Sequence, residues 1–186
     1  MDKRENYIDY VANRPGAQQV GGHGLWDANG PVKSLREVEE AVSHHAGNVW
    51  TPIVSLRRED AERLGYDNGS RWRDMLRSQA QTLSENLRIP MSNLRWFAAF
   101  HNESHHRHIH LIAYSINPNE GYLSEKGVMA LRSSFAKDIF AQDLLCEYKK
   151  QTEHRDALKV QSREVLAELI AKINGGTYDN PQVEHL

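Results

Sequence analysis

The chain has 186 residues, about one domain's worth, and its 39% hydrophobic and 26% charged residues exclude a disordered or fibrous protein. Its 23 lysines and arginines stand against 25 acids, so with histidines neutral the net charge is −2, which argues against nucleic-acid binding by bulk electrostatics alone. No uncharged apolar run approaches the roughly 20 residues of a bilayer span, and the opening MDKRENYIDYVANR is charged where a signal peptide is apolar, so no membrane association is expected and the compartment reads as cytosolic. The single cysteine, Cys146, cannot form an internal disulfide and is expected as buried helix filler in a reducing compartment.

Along the chain, Tyr7, Ile8, Val11 and Ala12 recur at helical spacing over residues 4–14, and Arg14-Pro15-Gly16 stops that helix. Residues 16–34 are glycine-rich and loop-like. Ser34 can cap a second helix, with Glu37 at the capping-box position, and the helix ends by Gly47. Val49 to Leu56 is strand-like, with Pro52 marking an edge or a bulge. A turn around residues 65–69 leads to a helix over 70–87, buried through Trp72, Met75, Leu76, Ala80, Leu83 and Leu87. Leu94–His101 and His108–Ser115 read as a hairpin of two strands. Helices are expected over about 123–148 and 162–173, and residues 175–186 as a flexible tail.

Polyanion contact has to be local in so neutral a chain. Residues 50–100 carry eight arginines and no lysine against six acids, a bias that suits phosphate contact because the guanidinium forks phosphate oxygens; interspersed acids fit an ordinary solvated surface equally well. The four tryptophans, Trp26, Trp50, Trp72 and Trp96, offer faces on which unpaired bases stack. Trp72 and Trp96 fit element interiors, whereas Trp26, in the glycine-rich loop, is the one expected to contact DNA.

Five of the ten histidines fall in one decapeptide, His101-Asn-Glu-Ser-His-His-Arg-His-Ile-His110. In a strand, His108 and His110 project to one side and Ile109 into the opposite apolar layer, and His101 from the preceding strand can reach them. Burying imidazoles in an apolar strand is costly unless a metal or hydrogen bonds satisfy them. Three neutral imidazoles with open coordination positions make a site in which a metal polarises a phosphoryl or carbonyl oxygen. His105 and His106 are spare or support that shell, and Glu103 can ligate or orient an imidazole. Neither a serine nor a cysteine triad is visible. Tyr7 and Tyr10 share a face of the first helix, and a tyrosine hydroxyl can attack a phosphodiester to leave a covalent phosphotyrosine.

Three stretches resemble the relaxase domain of plasmid and conjugative-element mobilisation proteins, in the MobP-type branch of the HUH endonucleases. They are Tyr7–Gly16 (YIDYVANRPG), His45–Asp60 (HAGNVWTPIVSLRRED) and Phe100–His110 (FHNESHHRHIH), in the family's order. The resemblance covers about residues 4–145. It implies an α+β, palm-like fold: an antiparallel sheet whose central histidine strands face a DNA cleft, with helices on the other face. Family members carry a strand before the tyrosine helix, and only nine residues precede Tyr10, so the sheet is expected to lack it.

The resemblance further implies metal-dependent, strand-specific nicking and strand transfer at an origin of transfer in a bacterial cytoplasm. Tyr10 matches the tyrosine that cleaves one strand and stays bonded to the 5′ phosphate, with Tyr7 in reserve. His101, His108 and His110 match the metal ligands, for magnesium, manganese, zinc or nickel. Ser55 matches a serine that holds DNA beside the nick, with Arg57 and Arg58 as phosphate contacts. Glu103 is one candidate to take the phenolic proton. Single-stranded DNA is the implied partner, together with accessory relaxosome and coupling proteins, and residues 1–174 form the nicking domain. Rolling-circle initiation and a catalytically idle DNA- or metal-binding remnant are the alternatives.

Overall fold

The computed structural model describes residues 3–103 and 105–175. Among them the chain runs through α1 (Lys3–Asn13), β1 (Leu25–Asp27), β2 (Gly30–Pro31), α2 (Leu35–Ser43), β3 (Val49–Trp50), β4 (Ile53–Arg57), α3 (Arg58–Leu64), α4 (Gly69–Ser78), α5 (Ala80–Leu87), β5 (Leu94–Asn102), β6 (His106–Ser115), α6 (Glu125–Ile139) and α7 (Ala141–Asn174). Every strand pairing is antiparallel and helices cover the sheet, which is the expected α+β class.

The strands lie in the order β2, β1, β5, β6, with β3 and β4 both on the outer side of β6. Those two share one register: Trp50 faces Ala113 and Ile53 faces His110, so Thr51 and Pro52 interrupt a single edge strand. Proline has no N–H to give to a ladder, and here its carbonyl accepts from Leu111 N at 2.9 Å. The hairpin of β5 and β6 pairs without interruption from Leu94 opposite Ser115 to Asn102 opposite Arg107.

Directly opposed residues share a face of the sheet, and each face has its own core. On one, Phe100, Ile109 and Leu111 pack with Trp72 and Leu76 of α4 and with Phe135 of α6. On the other, Ala99, Ile112 and Tyr114 pack with Ile8 and Val11 of α1 and with Val38 and Val42 of α2. Helices therefore cover both faces rather than only the side away from the histidines. Ser34 caps α2 as expected, its Oγ accepting from Glu37 N at 3.3 Å.

Several expectations need correction. The loop expected over 16–34 holds the short hairpin of β1 and β2, and Trp26 within it is 2% exposed, edge-on to Trp96 with ring centroids 6.2 Å apart. Its indole fills the core and offers no face to DNA, because Trp26 lies opposite Ala98 on the side covered by α4. The helix expected over 70–87 is two helices meeting at Gln79, and α3 precedes them. Cys146 is exposed, not buried. It lies on α7, which runs unbroken through residues 149–161, where the apolar stripe lapses, and buries none of its residues.

The chain divides after Phe140 into two compact units. The first unit holds the sheet and α1–α6, and the second begins at Ala141 and, among the described residues, consists of α7 with its terminal turn. The tail expected over 175–186 lies outside the described residues except for Gly175. No helix among the described residues is long and apolar enough to cross a membrane.

Candidate metal centre and active site

His101 and His108 are opposed across the hairpin, and His110 follows two residues along β6, so the strand alternation brings three imidazoles to one face. Their ring centroids are 4.7–5.2 Å apart, and one ring nitrogen from each lies within 4.8 Å of the others. All three side chains are buried. Ile109 points the opposite way, into the other core.

The surroundings fix which nitrogen faces the centre. His101 Nε2 lies 2.8 Å from the carbonyl oxygen of Val11 on α1, and a carbonyl only accepts, so Nε2 carries the proton and Nδ1 keeps its lone pair. That Nδ1 is buried without a hydrogen-bond partner, as is Nε2 of His110. The other nitrogen of His110, Nδ1, lies 3.1 Å from the Tyr7 hydroxyl. His108 Nδ1 makes only a long 3.5 Å approach to the carbonyl of His106. Two orphaned ring nitrogens in a buried cluster, with the His101 and His110 rings steadied from behind by other groups, are what a metal site requires.

Burial, then the neighbouring His101 and His108, pushes His110 from the ordinary imidazole range down to about 4. His101 is lowered as well, chiefly by burial, against the opposing pull of the Val11 carbonyl. Both rings are therefore neutral near pH 7, the form that donates a lone pair to a metal. The donor set is nitrogen throughout and fits zinc, manganese or nickel more readily than magnesium, which prefers oxygen.

Above the cluster lies α1. Tyr7 is half-buried against His110, and burial raises its hydroxyl above the usual phenol range, with a hydrogen bond to Thr51 opposing. Tyr10, one turn later, is 49% exposed. The Arg14 guanidinium lies 5.0 Å from the Tyr10 ring centroid and forms an ion pair with Glu103, which follows β5. Gly16, at φ +94°, reverses the chain after α1 in a conformation that favours glycine. That turn lets Asn102 N donate to Gly16 O at 2.8 Å and pairs Ala17 with His101, tying the tyrosine helix to the histidine strand.

The remaining expected residues line the edge strand. Ser55 is opposite His108 and Arg57 opposite His106, so both stand on the histidine face, and both are exposed. Arg58 begins α3 and holds Glu62 at 3.0 Å. Glu103 is not among the clustered ligands, and His105 and His106 are exposed. Asn48, without an assigned role in the sequence, bonds the carbonyl of Gly121 at 3.1 Å and serves as a structural tie. Sequence reasoning took Arg14 only as part of a helix stop. Its position four residues after Tyr10, one helical turn on, is the signal for its contact with that ring.

A buried imidazole triad that could hold a metal ion thus stands on the central strands of an antiparallel sheet, with an exposed tyrosine on the helix above it. The family model of the MobL relaxases matches residues 3–186, and the chain belongs to that family. It is thus a mobilisation relaxase, an enzyme that nicks DNA, with single-stranded DNA as the family's substrate. No curated protein and no solved structure matches the chain.

Proposed function

We propose that this relaxase is a metal-dependent, strand-specific transesterase of the MobP-type, HUH class. It cuts one strand at an origin of transfer and keeps the 5′ phosphate on Tyr10, so starting the mobilisation of a plasmid or conjugative element in the bacterial cytoplasm. The observation that carries this reading is the buried His101–His108–His110 triad, with two orphaned ring nitrogens, under a helix whose Tyr10 is open to solvent.

His101, His108 and His110 would hold a divalent ion, which when bound would supply positive charge to a phosphoryl oxygen. The protein's own residues do the rest. Val11 and Tyr7 hold the His101 and His110 rings in place from behind. Tyr10 Oη loses its proton to solvent and bonds the phosphorus in line; the bond to the 3′ oxygen breaks, and that oxygen takes up a proton. One phosphodiester replaces another, so the step is reversible. Ser55 and Arg57 line the exposed edge beside His108 and support contact with the strand, and Arg58, shared with Glu62, stands next to them. Tyr10 is favoured over Tyr7 because the Tyr7 hydroxyl is engaged by His110 and half-buried. Accessory relaxosome and coupling proteins would open the duplex and deliver the nicked strand.

The test is a covalent adduct that survives denaturation. Metal-loaded protein is incubated with overlapping single-stranded oligonucleotides tiling both strands of the DNA beside its gene. Wild type and Tyr7→Phe should form the adduct and Tyr10→Phe should not. No adduct from any oligonucleotide with any of the four metals would refute nicking and leave a DNA- or metal-binding remnant; an adduct retained by Tyr10→Phe would move the nucleophile elsewhere.

A further inference from the structure

Arg14 has a geometry that neither helix termination nor stability explains. Its Nη2 is paired with Glu103, whose side chain is 41% exposed, and an ion pair that open to water contributes little to stability. The guanidinium nevertheless lies over the Tyr10 ring, with Cζ 5.0 Å from the centroid, and the side chain is only 24% exposed. Among the described residues, Nη2 is the one nitrogen of this fork with a hydrogen-bond partner, so Nη1 and Nε keep their N–H groups for another acceptor.

We propose that Arg14 grips a non-bridging oxygen of the scissile phosphate beside Tyr10, and that Glu103 is the positioning residue that aims it. This rests on the reading of Tyr10 as nucleophile. A phosphate reaching Tyr10 meets a planar donor fork already held over the phenol ring. The site needs such a cation locally, because the chain as a whole is slightly acidic. As the bond from Tyr10 Oη to phosphorus forms and the bond to the 3′ oxygen breaks, negative charge on the non-bridging oxygens grows while Arg14 keeps all its protons. A donor fixed before the reaction stabilises that charge without reorganising. Glu103 holds one corner of the fork, and its place just after β5, two residues past His101, sets Arg14 relative to the three histidines.

The experiment uses the full chain and three readouts: the adduct rate at saturating DNA, the affinity for zinc ion, and the salt dependence of binding to oligo-dT. Arg14→Ala should lower the adduct rate about 100-fold and flatten the slope of log affinity against log salt by about 0.7, the share of one phosphate on a single strand. Zinc affinity should not change. Arg14→Lys should restore the slope and only part of the rate, since it keeps the charge and loses the fork. Glu103→Gln should slow the adduct while leaving slope and zinc affinity alone; an unchanged rate removes Glu103 from the proposal. A wild-type slope in Arg14→Ala overturns the phosphate contact whatever the adduct does, and lost zinc binding in that variant makes Arg14 structural and also overturns it. A wild-type protein that shows the Arg14-dependent slope but no adduct would instead refute the nicking reading.

Discussion

Acid should weaken the metal-free fold through His110. Folded, its imidazole stays neutral down to about pH 4, because burial and the two neighbouring rings disfavour the charged form; unfolded, it takes up a proton near the ordinary value of about 6.5. The folded value is depressed, so the unfolded chain binds more protons in acid. Stability is then fully present above pH 6.5 and is lost as the pH falls toward 4. The difference corresponds to about 3 kcal/mol in full and about 2 kcal/mol by pH 5. His101 is shifted the same way and adds to the loss.

Urea unfolding of metal-free protein at pH 7 and pH 5, followed by the fluorescence of the buried tryptophans, measures the effect. His110→Gln keeps a polar side chain of similar reach and removes the titration. Carboxylates and the other histidines act in both proteins, so the difference between them isolates His110, and the variant should lose about 2 kcal/mol less than wild type between those two pH values. Equal losses would refute the neutral, desolvated state of this ring. The same protonation opposes metal binding, because a proton and a metal compete for one lone pair.

Tyr7→Phe should weaken zinc affinity about tenfold or more, as loss of a group that orients a ligand does, while Tyr10→Phe should leave zinc affinity unchanged in the same titration. Trp26→Ala should cost about 3–5 kcal/mol in denaturant unfolding, with oligo-dT affinity of the folded protein unchanged; lost affinity would return Trp26 to the DNA surface. Gly121→Ala should cost about 1–3 kcal/mol, since its φ of +95° disfavours a side chain and an added Cβ would stand 2.5 Å from Trp50 Cη2; a wild-type melting curve would show that the turn adapts.

The strands flanking the histidine cluster could be read because two apolar runs, each long enough for a strand, stand on either side of a polar link, and both faces of those strands are buried. The hairpin of β1 and β2 has strands of three and two residues, too short for any period, and Trp26 reached the core through its pairing opposite Ala98. The break at Gln79 had no proline or glycine to announce it. It is held by tertiary contacts instead: Gln79 donates to Asp138 and accepts from Ser134, both on α6, which ends one helix and starts the next. On α7 the expectation failed in the other direction. Good helix formers carry the backbone across residues 149–161 without an apolar stripe, and a stripe is needed to predict burial, not helicity.

At the site, what sequence could supply was chemistry attached to spacing. His108 and His110 share a face because two residues is one period of a strand, and Tyr7 and Tyr10 share one because three residues is nearly one helical turn. Which face of the sheet receives α1 is set by the reversal at Gly16 and by the contacts of Ile8 and Val11 with the core, none of which has a local signature. That packing decides how the two tyrosines differ. It turns Tyr7 inward to the His110 ring and leaves Tyr10 in solvent under Arg14, so two phenols that sequence alone treats as near-equivalents acquire different surroundings. Exchanging Tyr7 for phenylalanine should then act on the metal, and exchanging Tyr10 on the DNA.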